Sequence, residues 1–147
     1  MATTAASIVS RSNGGCACGA VRFVAEGEPY RVGLCHCFDC RKQHGAPFGV
    51  LAIFPADQVT FVGDEPGVFA SSATGRRYFC RSCGSPVFNR DEGSDEVELA
   101  LGSFDETSRF TPTYELWVSR RETWLPPIPS VVRSYARNRT GSQRTEP

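Results

Sequence analysis

The stretch Cys35-His36-Cys37-Phe38-Asp39-Cys40-Arg41-Lys42-Gln43-His44-Gly45 places three cysteines within six positions, a density that packing does not explain. On an extended strand, side chains two apart leave the same face. Cys35 and Cys37 can therefore point at one metal ion, with His36 on the opposite face. Cys40 can return to that ion if the strand ends in a turn after Asp39. Three thiolates hold a zinc ion and leave its fourth tetrahedral position vacant, which is how a catalytic zinc differs from a structural one.

Outward from this cluster, the chain reads as short strands separated by glycine and proline. Tyr30 to Cys37 is predicted as the strand entering the cluster, and Ala20 to Ala25 as the strand before it, across a turn at Glu26-Gly27-Glu28-Pro29. Phe48 to Phe54 is apolar on both faces, as a buried strand is. Val59 to Gly63, Val68 to Ser71 and Arg76 to Phe79 follow as further strands. Val97 to Gly102 and Tyr114 to Val118 alternate apolar with polar residues, so each should bury one face. No window carries a helical stripe capped at both ends. Many short strands at this spacing predict an all-β fold of sandwich or barrel-like type.

The 147 residues suffice for one compact domain with a genuine core. Sixteen Lys and Arg balance sixteen Asp and Glu, so no net field draws the molecule to nucleic acid or an anionic membrane. The apolar runs are far shorter than a membrane span. The first residues lack the pattern of a secretory signal. The expected organisation is a flexible N-terminus over 1–12, a zinc-binding all-β domain over 13–129 and a flexible basic tail over 130–147. An interface signature is absent, so a monomer or weak homodimer is expected.

Seven cysteines, in the tight groups Cys16/Cys18, Cys35/Cys37/Cys40 and Cys80/Cys83, do not suit a secreted disulfide framework, which favours even counts and wide spacings. A reducing, cytoplasmic compartment follows as the expectation. Cys80-x-x-Cys83-Gly84 is half of a zinc site, and Cys16-x-Cys18-Gly19 is its natural partner. Together they give a closed tetrathiolate that staples the start of the domain to a point past its middle. Other partitions of the thiols are compatible with the spacing. For the remaining Cys35, Cys37 and Cys40, closure by His44 and an unmetallated redox role are the competing readings. Mutual repulsion between three thiolates argues for a cation among them. With zinc they leave one net negative charge, a setting better suited to binding an incoming thiol as thiolate than to activating water. Arg41 and Lys42 adjoin the cluster and could hold a substrate carboxylate. Their alternative role is solvated surface charge.

These residues resemble the glutathione-dependent formaldehyde-activating enzymes, grouped with centromere protein V. The resemblance rests on Gly14-Gly15-Cys16-Ala17-Cys18-Gly19-Ala20-Val21-Arg22-Phe23, on Cys35 to Lys42 with Gly45 and Phe48, and on Phe79-Cys80-Arg81-Ser82-Cys83-Gly84-Ser85-Pro86. It continues through Tyr114-Glu115-Leu116-Trp117 to Trp124-Leu125-Pro126-Pro127. It implies an Mss4-like fold of twisted antiparallel sheets and two Zn²⁺ per chain, a structural one on Cys16, Cys18, Cys80 and Cys83 and a catalytic one on Cys35, Cys37 and Cys40. The implied activity is that of a carbon–sulfur lyase, adding glutathione as co-substrate to formaldehyde to give S-(hydroxymethyl)glutathione. The implied partners are thus a small thiol and a small aldehyde. Family motifs often carry a histidine where this chain has Glu115. A non-catalytic zinc-binding interaction module is the alternative, with the basic tail as its contact. Removing the residues after Ser130 should then abolish partner binding, whereas an enzyme should keep its turnover.

Overall fold

The computed structural model describes residues 8–139. The parts of the expected terminal segments at 1–7 and 140–147 lie outside the described residues. The fold is all-β with one short helix. Strands β1 (Arg11–Gly15), β2 (Val21–Glu26) and β3 (Arg31–Cys35) lead to helix α1 (Phe38–His44). Then come β4 (Gly49–Pro55), β5 (Val59–Gly63), β6 (Gly67–Ala70), β7 (Gly75–Phe79), β8 (Pro86–Asp91), β9 (Glu96–Ala100), β10 (Tyr114–Leu116) and β11 (Arg133–Ser134).

Two sheets result. A small one has the order β1-β2-β5, and an eight-stranded one has the order β11-β10-β3-β4-β9-β8-β7-β6. Pairing is antiparallel except at β10, which runs parallel to both β3 and β11. The expectation of antiparallel sheets therefore fails at this edge. The strand that resumes after the long connection from β9 arrives from the opposite end.

The doubly apolar β4 lies inside the large sheet between β3 and β9, as a strand buried on both faces must. Phe23, Phe54, Val87, Val97 and Leu99 form the centre of the core. Phe104 meets Phe23 edge-on at 5.1 Å and Phe110 at 5.3 Å, which closes the loop after β9 over this core.

Three differences from the sequence reading matter for the site. The boundary expected at residue 12 falls inside β1. Phe23 fills the space over Gly14 of that strand, where a Cβ would lie 2.3 Å from the ring. The strand expected to run through Cys37 stops at Cys35, and the chain turns into α1. Finally, the expected tail from 130 is in place as far as 139. β11 pairs with β10, Tyr135 N–H donates to Glu115 O, and Trp117 N–H donates to Arg137 O.

Candidate metal centres and their cavity

Two groups of thiols assemble, and they are the two that the spacing favoured. The ligand atoms of Cys16, Cys18, Cys80 and Cys83 all lie within 4.8 Å of one another, and so do those of Cys35, Cys37 and Cys40. In the first group, Cys18 Sγ lies 3.6 Å from Cys16 Sγ and 3.7 Å from Cys80 Sγ. A tetrahedron with Zn–S near 2.3 Å has edges of about 3.8 Å, so these sulfurs fit zinc without rearrangement. Val21 N–H donates to Cys16 Sγ at 3.3 Å, and the Ser85 hydroxyl sits 3.2 Å from Cys83 Sγ. The Ser85 hydroxyl and nearby backbone donors hold the Cys83 thiol down at about 5.

The trio is built by a strand end and a helix start. Cys35 closes β3. Cys37 is the N-cap of α1, its Sγ accepting from Cys40 N–H at 3.4 Å. Cys40, in the first turn, is buried. Gly45 ends the helix in a left-handed conformation with φ 57°, where glycine avoids the Cβ penalty. Without a cation the three thiols compete for protons. Hydrogen bonds from Cys35 and Cys40 hold the Cys37 thiol far below its ordinary value, and the same contacts push Cys35 up. A divalent cation relieves that competition by letting all three ionise, which is the fit the donor set shows.

Neither histidine is among the groups that converge on the trio. His36 Nε2 lies 2.9 Å from Glu115 Oε2, and the ring packs against Phe48. Glu115 also accepts from Ser134 Oγ at 2.8 Å and faces Arg121. Where family motifs often have histidine, this chain thus ties β3, β10 and β11 together. His44, at the end of α1, packs on Gly49, whose added Cβ would stand 2.8 Å from its ring. Burial and the nearby Arg77 charge hold its pKa down.

The three sulfurs border a cavity of about 550 Å³. Arg41 and Lys42, expected at the substrate, are not on its wall. Arg41 is committed to Glu122 and to the carbonyl of Arg120. Lys42 is exposed and borders a different depression beside Phe69 and Phe79. The cations that do face the cavity are Arg76, Arg77, Arg90 and Arg120. Arg77 brings both terminal nitrogens to 3.8 and 3.9 Å from Cys40 Sγ and also donates to Gln43 Oε1. Arg120 lies 4.1 Å over the Phe38 ring and 4.6 Å over the Trp117 ring at the cavity edge. Trp117, itself left-handed at φ 58°, donates Nε1–H to Asn138 Oδ1 at 2.8 Å. Asn138 is part of the cavity wall.

An all-β domain carrying a closed set of four thiols and a cavity-lining set of three defines a class of protein with two candidate sulfur-ligated metal centres. The sequence pattern of the glutathione-dependent formaldehyde-activating enzymes matches residues 11–120, and the chain belongs to this family. A protein of Podospora anserina named for these enzymes is 37% identical over 93 residues, covering 58% of this chain and 43% of that protein. An uncharacterized lyase of Schizosaccharomyces pombe is 31% identical over 75 residues, covering 51% of this chain and 54% of that one. The chain thus matches only about half the length of these relatives. A crystal structure of a Rhodobacter sphaeroides protein shares the fold at a TM-score of 0.53 and 20% identity, over 66% of this chain and 91% of that one.

Proposed function

We propose that the chain is a zinc-dependent carbon–sulfur lyase that joins a thiol, glutathione, to a small aldehyde such as formaldehyde. Family membership and the names of the relatives support the reaction class. The observation that carries the assignment to this site is the position of Cys35, Cys37 and Cys40 on the wall of a cavity, with three converging sulfurs rather than four. In this reading Cys16, Cys18, Cys80 and Cys83 hold a structural zinc. Cys35, Cys37 and Cys40 hold the catalytic one, which when bound lowers the pKa of a thiol and favours its nucleophilic form.

The chain's own residues do the rest. Arg77 offsets the negative charge of the trio and so makes room for a further anionic sulfur. Arg120 on the wall takes a carboxylate of glutathione, the part first assigned to Arg41 and Lys42. Asp91, on the same wall, suits the ammonium group. Phe38 and Trp117 flank the entrance and limit water around the reacting carbon. A reducing compartment such as the cytoplasm is part of this reading, and the seven free cysteines suit it. Among the described residues no helix is long and apolar enough to cross a membrane.

Metal analysis of the wild type and Cys37→Ala tests the assignment. Two zinc ions per chain should fall to one with the fold retained. Glutathione added to cobalt-substituted wild type should change the thiolate-to-metal absorption, and Cys37→Ala should lose that change. A wild type whose cobalt spectrum ignores glutathione would refute the reading.

A further inference from the structure

Strands place one polar row beneath the cysteine trio. Successive residues of a strand alternate faces, and the register sets Arg77 opposite Asn89, Asn89 opposite Glu98 and Glu98 opposite Ile53. Ile53 packs in the same apolar cluster as Cys35 and Cys40. Arg77, Asn89 and Glu98 therefore share the face that carries the trio, and all three border its cavity. A guanidinium can only donate. Since Arg77 donates to Gln43 Oε1, the Gln43 amide must turn its NH₂ outward, and it donates to Asn89 Oδ1 at 2.8 Å. Asn89 then directs its own NH₂ at Glu98 Oε2, 3.4 Å away. The chain of contacts runs from Cys40 Sγ to the Glu98 carboxylate and fixes one relative to the other.

Glu96, two residues earlier on the same face, shows what a merely structural glutamate looks like here. Arg31 grips both its oxygens at 3.2 and 2.8 Å. Among the described residues, Glu98 has instead one long amide hydrogen bond. We propose that Glu98 carries the proton of the reaction in this cavity, an inference that rests on the thiol-addition reading above. In the first step R–SH gives its proton to the Glu98 carboxylate and leaves R–S⁻. In the second, the sulfur lone pair forms the S–C bond to H₂C=O and the C=O π pair moves to oxygen. That oxygen takes the proton back from Glu98, giving R–S–CH₂–OH and restoring the carboxylate.

The surroundings suit the task. Burial raises the Glu98 pKa, and Asp91 on β8 adds to the rise. The Asn89 amide, Arg77 on β7 and Arg31 on β3 oppose it. Tyr114 of β10 also senses the Glu98 charge, its own hydroxyl pushed up to about 12 mainly by burial. The carboxylate is thus neither locked by a cation nor free in water, so it holds a proton more readily than an ordinary carboxylate does.

Calorimetric titration of the zinc-loaded full chain with glutathione, in buffers of different ionisation enthalpy, counts the protons released. In the wild type Glu98 keeps the thiol proton and almost none reaches the buffer. In Glu98→Gln about one proton per thiol is released. The same variant should lose roughly 10²- to 10⁴-fold in kcat above the uncatalysed rate, with glutathione still bound. Should the variant fail to fold, infrared difference spectra of the wild type decide, because glutathione must bring up a protonated-carboxyl band. Equal proton counts in both proteins, or no such band, overturn the role of Glu98 while leaving the thiol site standing. Failure of the wild type to bind glutathione overturns the reading beneath it as well.

Discussion

Replacing Arg77 with glutamine should weaken zinc binding at Cys35, Cys37 and Cys40 and leave the other four cysteines untouched. Two guanidinium nitrogens stand 3.8 and 3.9 Å from Cys40 Sγ. At that separation, and an effective dielectric of about 20, a cation and a thiolate attract by about 4 kcal/mol. The half-buried guanidinium gives up hydration to be there, so the net value is that of a charged hydrogen bond, about 1.5–3 kcal/mol. With a factor of ten for each ~1.4 kcal/mol, the zinc dissociation constant should rise roughly 10- to 100-fold. Arg77→Lys keeps the charge without the planar fork and should fall between. Competition with a chromophoric chelator reads both metals in one protein, and the tetrathiolate site serves as the internal control for folding. Release of both ions at the same chelator concentration in wild type and Arg77→Gln would show that Arg77 does not support the trio.

The staple predicts that Cys16→Ala unfolds or aggregates, because structural zinc contributes on the order of 10 kcal/mol in small zinc modules; circular dichroism and zinc content report it together. Gly33→Ala should cost about 1–3 kcal/mol by overpacking, since its Cβ would sit 2.4 Å from the Tyr114 ring; a denaturation midpoint measures this. Burial pushes the Glu115 pKa up, but Ser134, His36 and Arg121 outweigh it and the net shift is down. Its stabilisation is therefore complete above the ordinary carboxylate pKa and is lost as pH falls through the depressed value. Glu115→Gln should remove that acid-side dependence from thermal melts. Truncation after Ser130 should impair thiol addition, contrary to the expectation for a free tail, because Asn138 and the partners of Trp117 go with it; unchanged kcat/KM would contradict this.

The apolar strands were legible because alternation and β-branched runs report burial directly. Val59 to Gly63 keeps the bounds expected of it, and the others shift by a residue or two. Helix α1 was hidden for a specific reason. Its seven residues are too few to show a helical stripe, and its N-cap is Cys37, whose sulfur substitutes for the usual side-chain oxygen. The joining of Cys16 and Cys18 to Cys80 and Cys83 was favoured by spacing but not fixed by it. Each cysteine group was readable from spacing, since ligands two or three apart need only local geometry. The cavity wall was not. Arg77, Asn89 and Glu98 come from three strands, and the polar position of an alternating strand reads the same whether water or an enclosed cavity faces it. Arg41 and Lys42 looked closer to the site because sequence adjacency stood in for direction. One residue past Cys40, about 100° around α1, Arg41 points away to Glu122.

Placing both sulfur sets in one domain follows from what each must tolerate. Cys18 and Cys83 are exposed, so water can screen the charge of four thiolates around one zinc, and the site needs only backbone and hydroxyl donors. The trio has two buried members and cannot use that screening. Its charge must be met from inside, and the eight-stranded sheet does so by aligning β7, β8 and β9 under α1. The alignment follows the pairing of β7 with β8, and Cys80 of the closed set lies just beyond the far end of β7. Cys80 follows β7 three residues past Arg77, so a metal on the closed set would tie down the end of the strand that delivers Arg77 to the open one. Loss of the first metal should release the second, whereas loss of the second should leave the first in place.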